Sequence, residues 1–251
     1  SQLNDAKGGG MYIDGTVITL DSVSIEYNEA EGSGGGIYVV GDKSSIMSIG
    51  GTTLRHNEAN HKGGGVALEK SSSLIFGVNV EQNKAVYGGG INVEDGAPTF
   101  NGVTIKNNHA LGDSAEGGGL RVEGIISSAT VTLLNVLVSE NAAIGEKAKG
   151  GGLFSNNANI LHGGAIGYAT IFSEMGQSTI PYDEIVMDSG TAPSSENATT
   201  VNYYPTYSPS LIITRNIGKF GGGLHLHNSI FELDPTKNAS AANSNNMASV
   251  V

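Results

Sequence analysis

Short stretches in which apolar and polar residues alternate recur along the chain at fixed distances from an asparagine. Five and three places before that asparagine stand apolar pairs such as Val78 and Val80, or Val103 and Ile105. Alternation with a period of two and one apolar face predicts a β-strand. A second strand is predicted just upstream, with an apolar residue such as Phe100 eight places before the asparagine.

Each asparagine is followed by a small residue two places later, then by three glycines and a third apolar strand. The asparagines are Asn4, Asn28, Asn57, Asn83, Asn108, Asn141 and Asn216, and the glycine triplets begin at Gly8, Gly34, Gly63, Gly88, Gly117, Gly150 and Gly221. Successive asparagines lie 24 to 33 residues apart, except for one interval of 75. Such a period with one long exception is typical of a solenoid that carries an insertion.

We therefore predict an all-β fold, a parallel β-helix solenoid of about seven coils with three short strands each. Equivalent strands of successive coils would stack in parallel ~4.8 Å apart and enclose one core. Residues 1–251 form a single domain in this interpretation. It includes an insertion or flap in the sixth coil at residues 160–209 and a polar tail at residues 234–251.

The asparagine and the glycines have different predicted roles at the corners of a coil. Asparagine tolerates the left-handed conformation, and its amide can bond to backbone of the coils above and below. The seven asparagines are therefore predicted to form a buried structural ladder. Glycines permit a positive φ and let neighbouring coils approach without Cβ clashes.

Two short motifs carry a resemblance to a known family. Gly-Gly-Ala-Ile stands at residues 163–166, and Phe-x-x-Asn stands at 76–79 and 154–157. The pattern resembles the right-handed parallel β-helix repeats of bacterial surface proteins, and most of all the passenger repeats of polymorphic outer-membrane proteins, which are autotransporter adhesins. The resemblance implies an extracellular or cell-surface location. It also implies the right-handed coil, in agreement with the general rule for parallel crossovers.

Composition excludes several classes of partner and site. The net charge is −11, which argues against a basic face for nucleic acid. The chain has no cysteine, so disulfides and thiolate metal sites are excluded. No apolar run approaches ~18 residues, so we expect no membrane span in this segment.

The predicted insertion holds the candidate binding residues, because loops on a rigid scaffold often carry recognition. These are four tyrosines, which offer apolar area with a polar tip: Tyr182, Tyr203, Tyr204 and Tyr207. The alternative is that this segment merely covers the rod. Asn197 and Asn238 open Asn-x-Ser/Thr sequons and are candidate glycosylation sites.

Three carboxylates occupy the same place in consecutive coils. Glu69, Glu94 and Glu123 each stand four places after a glycine triplet, so stacking would bring them ~5 Å apart. Such carboxylates either diverge into water or share a cation such as Ca²⁺. Ca²⁺ is the only cofactor that the sequence suggests, and we assign no catalytic residue.

Three classes of function remain. The favoured one is a structural or adhesive segment of an extracellular or cell-surface fibrous protein, which stacks on further coils or copies of itself and contacts host or matrix glycans and proteins. The alternative is a polysaccharide lyase or glycoside hydrolase of the pectin-lyase-like class, for which Glu94, Arg121 and Glu123 are the best cluster. The third is an ice or crystal binder, which would present an outward-facing row of hydroxyl-bearing side chains. Leu74 interrupts this row, which consists of Thr19, Ser48, Thr99 and Thr132.

Overall fold

The chain folds into a parallel β-solenoid. The computed structural model describes residues 6–42, 45–49, 51–125, 129–163, 168–173, 183–188 and 211–233. Every regular element in those ranges is a β-strand. The predicted all-β parallel solenoid is therefore confirmed.

Two faces of the solenoid are sheets of seven parallel strands each. The first sheet consists of Met11–Asp14, Ile37–Val40, Val66–Glu69, Ile91–Glu94, Leu120–Glu123, Leu153–Asn156 and Leu224–His227. The second consists of Val17–Asp21, Ser45–Ile49, Leu74–Phe76, Thr99–Asn101, Ala129–Leu134, Ala158–Gly163 and Ile230–Leu233.

A third face carries two short strands per coil instead of the single one predicted. Before the asparagine lie Ser24–Glu26, Thr53–Arg55, Asn79–Glu81, Thr104–Lys106 and Val136–Ser139. After it lie Glu29–Ala30, Glu58–Ala59, Lys84–Ala85, His109–Leu111 and Ala142–Ile144. In the sixth coil one strand, Leu211–Gly218, runs through both positions and joins the two rows into one sheet.

Five coils follow one another without interruption, each with all four strands. The sixth is divided by the insertion, and within the described residues the seventh contributes strands only to the first two sheets. This is about five complete turns, against about seven predicted. The difference is small, because seven glycine triplets do lead into seven stacked strands.

Inward-facing side chains of all three faces form one continuous core. Val39, Leu68, Phe100, Ile105 and Leu133 are each completely buried at 0% exposure. They belong to the periodic apolar positions of the sequence. Burial of apolar surface by every coil against its neighbours is the main stabilising contribution in such a stack.

One coil departs from the predicted alignment. The sequence offset placed Ile49 and Ile75 in equivalent positions, but the structure pairs Ile75 with Ser48 and Leu74 with Met47. The reason is one additional residue before Thr53 in the second coil. In the strand register, Met47 and not Ser48 is therefore aligned with Thr19 and Leu74 of the row predicted for an ice binder.

At the asparagine corner, the residue whose backbone adopts the left-handed conformation is the one that precedes the asparagine. Six such residues have φ between 53° and 56°: Tyr27, His56, Gln82, Asn107, Glu140 and Arg215. The prediction that the ladder asparagines themselves are left-handed is therefore wrong. The corner uses the preceding residue for the left-handed turn, and the asparagine bonds along the solenoid axis.

Hydrogen bonds between the asparagines run along the axis. In Asn83, the backbone N–H and the side-chain Nδ2 both donate to Oδ1 of Asn108, at 2.9 and 3.0 Å. Nδ2 also donates to the carbonyl of Leu54 at 2.9 Å. Oδ1 in turn accepts from the backbone and side chain of Asn57. The amide thus uses both donors and both lone pairs while fully buried.

Bonds from each asparagine to Oδ1 of the next extend along six coils and link Asn28, Asn57, Asn83, Asn108, Asn141 and Asn216. Asn4 lies outside the described residues.

The three glycines of a triplet serve two purposes, as the fourth coil illustrates. Gly88 has a φ of 63°, where a side chain would be strained. A Cβ on Gly89 would lie 2.3 Å from the carbonyl oxygen of His109, and one on Gly90 would lie 2.7 Å from that of Gly119. One glycine therefore makes the turn, and two provide room for the next coil.

The described part of the insertion extends the third sheet. Strand Tyr168–Ser173 pairs in parallel with Leu211–Gly218, and Asp183–Asp188 pairs antiparallel with Tyr168–Ser173. The preceding coil strand, Ala158–Gly163, continues beyond residue 160, where the insertion was predicted to start. The predicted polar tail lies outside the described residues.

His162 occupies an inward position in the core of the sixth coil. It is aligned with Leu133 of the coil above and lies against Phe231, with ring centroids 4.8 Å apart. Its exposure is 0%, and neither ring nitrogen has a hydrogen-bond partner among the residues that the structure describes. Burial lowers the pKa of His162 to about 4. The imidazole is therefore neutral at pH 7.

We predict that Asn83→Ala lowers the free energy of unfolding by about 1–3 kcal/mol, because buried backbone groups lose their partner. Asn79→Ala is the matched control, since Asn79 is exposed in the same coil. Chemical denaturation of both variants measures the difference. An Asn83→Ala protein as stable as the control would contradict a buried ladder.

We predict that acid destabilises the protein through His162. Above pH 6.5 the imidazole is neutral in the folded and unfolded chain and contributes no pH dependence. Between pH 6.5 and about 4 only the unfolded chain takes up the proton, so the free energy of unfolding falls by up to about 3 kcal/mol. Denaturation at pH 7 and at pH 5 should show a clearly smaller loss of unfolding free energy in His162→Leu than in the unaltered chain. An equal loss in both proteins would exclude His162 as the cause.

Candidate functional site

A cleft runs along the outer face of the first sheet. Its floor is the outward residue of each strand, and these residues are aligned in register: Tyr12, Tyr38, Ala67, Asn92, Arg121, Phe154 and His225. Outward residues of a sheet normally face water, but those from Tyr38 to Phe154 are at most 7% exposed. Side chains on both sides therefore rise above the floor and cover it.

Two rows of side chains form the walls of this cleft. One wall is the last residue of each strand, in register through Glu69, Glu94, Glu123 and Asn156. The other is the residue before each glycine triplet, bridged in parallel through Lys62, Tyr87, Glu116, Lys149 and Phe220. The glycine corner that sets the spacing of the coils thus also places the second wall.

Arg121 fills the cleft in the fifth coil. Its guanidinium donates to Glu116 at 3.0 Å and to Glu123, one carboxylate from each wall. It also donates to Oδ1 of Asn92 at 3.1 Å and lies 4.9 Å from the ring centroid of Tyr87. Because the arginine is only 7% exposed, these groups replace water as its partners.

Aromatic rings continue the filling towards the last coil. Phe154 lies 5.9 Å from the guanidinium of Arg121 and stacks on His225 with ring centroids 5.4 Å apart. Burial, followed by the charge of Lys149, lowers the pKa of His225. This end of the cleft is therefore packed with side chains and leaves little room for a ligand.

The cleft opens where the floor residue is small. Ala67 lies between Tyr38 and Asn92, and the missing bulk leaves a cavity of about 290 Å³. The lining combines charged and polar side chains with the floor: Lys7, Ser33, Tyr38, His61, Lys62, Ala67, Leu68, Glu69, Asn92 and Glu94.

Two lysine–glutamate pairs cross this open part. Lys62 forms an ion pair with Glu94. Lys7 donates to the hydroxyl of Tyr38 at 2.9 Å, and that hydroxyl donates to Glu69. Burial and then the hydrogen bond to Glu69 raise the pKa of Tyr38 well above its ordinary value, so the phenol stays protonated. The charges of Lys7, Lys62, Glu69 and Glu94 therefore sum to zero.

The three predicted metal carboxylates lie in one row, but each has a different partner. Glu69 accepts from Tyr38, Glu94 from Lys62, and Glu123 from Arg121 and from Asn156 at 2.7 Å. In the part of the chain that the structure describes, no group of three or more His, Asp or Glu residues is arranged to hold a metal ion. Ca²⁺ binding stays a prediction without geometric support.

The cluster considered for a lyase is divided. Arg121 and Glu123 are in contact, whereas Glu94 pairs with Lys62 in the neighbouring open section. The other predicted site residues, four tyrosines and two sequon asparagines, lie outside the described residues: Tyr182, Tyr203, Tyr204, Tyr207, Asn197 and Asn238.

Sequence reasoning did not find the floor of the cleft or its second wall. Both are periodic, since the floor is the second residue after each triplet and the wall is the residue before it. Their chemistry varies from coil to coil, so no single residue type marks either row. A search for fixed offsets from the triplet, without regard to residue type, would have placed Lys62, Ala67 and Glu94 around one cavity.

No protein-family model, curated protein or solved structure gives a significant match to this chain. The parallel β-solenoid therefore rests on the structure, and the resemblance to outer-membrane passenger repeats has no family match behind it. No helix in the described ranges is long and apolar enough to cross a membrane.

We predict that Arg121→Met lowers the free energy of unfolding by about 3 kcal/mol, because Glu116 and Glu123 lose their shared buried cation. Arg215→Met is the matched control. Arg215 also pairs with a glutamate, at 3.8 Å, but its side chain is 68% exposed, so the expected loss is below about 0.5 kcal/mol. Urea denaturation compares the two, and equal losses would contradict the buried cross-link.

Proposed function

We propose that the chain is a structural or adhesive segment of an extracellular or cell-surface fibrous protein, as are the passenger repeats that it resembles. In this role the solenoid is a rigid spacer whose coils continue into further coils of the same protein or stack end to end on a second copy.

The observation that carries the proposal is the unbroken axial bonding. Asparagine amides connect six successive coils, and three faces are bonded from coil to coil along the same direction. Each coil contacts mainly its neighbours, so the solenoid can be lengthened coil by coil while the same bonding continues along its axis. A spacer or stalk depends on this axial bonding for its function, whereas an enzyme would use the solenoid only to support its active site.

The edge of the first coil supports continued stacking. Among the described residues, Met11–Asp14 pairs only with the second coil, to which Met11 donates its N–H at 2.9 Å. Successive residues of a strand direct their N–H groups to opposite sides, so the N–H of Tyr12 points away from the fold. An exposed parallel edge of this kind is a template for another coil.

A second candidate is a polysaccharide lyase or glycoside hydrolase. The specific observation in its favour is the open part of the cleft, where Glu69 and Glu94 lie beside Tyr38 and Lys62. Carboxylates next to a phenol and an ammonium are groups from which acid and base catalysis can be built. Incubation with acidic and neutral polysaccharides, followed by assays for new reducing ends and unsaturated uronates, tests it. Product whose release is lost in Glu94→Gln would support an enzyme.

Electron microscopy and light scattering test end-to-end stacking. We expect rods that lengthen with protein concentration. Tyr12→Pro should shorten them, because proline removes the outward N–H without removing a bond of the fold. Tyr12→Ala keeps that N–H and is the control for loss of the ring. A strictly monomeric particle at high concentration, or equal assembly of both variants, would contradict stacking through this edge.

A further inference from the structure

We propose that the cavity above Ala67 binds one uncharged sugar unit of a glycan through neighbouring hydroxyl groups. The inference rests on the proposed adhesive role, since it names the chemical class that an adhesive segment would hold. It assigns recognition to the first sheet and not to the tyrosines of the insertion.

The size of the cavity limits the ligand. A volume of about 290 Å³ lies at the small end of ligand pockets, which are commonly about 300–1,000 Å³. This is room for a single ring. The packed residues Arg121 and Phe154 block the cleft on one side, so the sugar is the end or one protruding unit of a longer glycan.

The charges of the cavity select against ionic ligands. Lys7 and Lys62 are balanced by Glu69 and Glu94, and all four line the same space. A sugar acid would have to approach two carboxylates, and an amino sugar would have to approach two ammonium groups. Each would lose affinity through a like charge in a partly buried site.

Neighbouring hydroxyls fit both members of a lysine–glutamate pair. A carboxylate only accepts hydrogen bonds and an ammonium only donates, whereas a hydroxyl does both. One hydroxyl of a vicinal pair can donate to Glu94 while the next accepts from Lys62. Tyr38 and Glu69 present a second polar pair on the same cavity, and Ser33 and Asn92 add short polar side chains. Polar groups on several sides fix the orientation of a ring.

Isothermal titration calorimetry with methyl glycosides tests the assignment on the unaltered chain. The neutral probes are the methyl glycosides of glucose, galactose, mannose and N-acetylglucosamine, and the charged probes are those of galacturonic acid and glucosamine. We expect at least one neutral probe to bind in the millimolar range, and both charged probes to bind at least about tenfold more weakly. Absence of binding by every neutral probe, or equal binding of a charged probe, would overturn the proposal.

Variants locate the site. Ala67→Leu places a larger side chain in the cavity and should abolish binding. Thr99→Leu places the same leucine side chain on the outer face of the second sheet, in the adjoining coil, and should leave affinity unchanged. Circular dichroism and thermal melting verify that both fold. An Ala67→Leu protein that binds the sugar as well as the unaltered chain does would overturn the assignment of the site to this cavity.

Single-charge variants provide a second criterion if Ala67→Leu does not fold. Glu94→Gln and Lys62→Gln each replace one charged partner of the diol with a neutral amide, which forms weaker hydrogen bonds, and should weaken binding at least about tenfold. Full affinity in both would overturn the proposal. Assembly and sugar binding are separate readouts. A chain that binds sugar but stays monomeric contradicts only the stacking, and one that assembles without binding contradicts only this inference.

Discussion

The close approach of successive coils at two corners is the constraint on which the rest of the structure depends. At one corner, the amide of an interior ladder asparagine such as Asn83 uses all four of its hydrogen-bonding positions on the coils above and below. At the other, Gly89 and Gly90 lie so near the next coil that a Cβ would overlap its carbonyl oxygens. These contacts fix the coil spacing, and the spacing aligns the strands and closes the core.

The same constraint builds the cleft. Because the coils are in register at the glycine corner, the residue before each triplet forms one wall, the second residue after it forms the floor, and the fourth forms the other wall. The scaffold fixes these positions and leaves their chemistry unspecified. Arg121 makes one section a packed cross-link, and Ala67 makes another a cavity. The chemistry of the outer face can therefore differ from coil to coil without any change to the core.

Much of the fold could be predicted because its causes are local and repeated. Alternating apolar residues, the asparagine and the triplet each recur with every coil, so one correct interpretation applies throughout. The failures have specific causes. The left-handed conformation belongs to varied residues such as Tyr27 and Gln82, which carry no compositional signal. One added residue in the second coil shifted Ser48, and the cavity depends on which different side chains meet at Ala67.

Side-chain amide exchange tests the asparagine ladder most directly. In ¹⁵N-resolved NMR spectra, the Nδ2 protons of Asn83 and Asn108 should exchange with solvent as slowly as the backbone amides of the core strands, because both protons are buried and bonded. Those of the exposed Asn79 should exchange rapidly. Rapid exchange at Asn83 and Asn108 would mean that these amides face water, and would contradict the account of what holds the coils together.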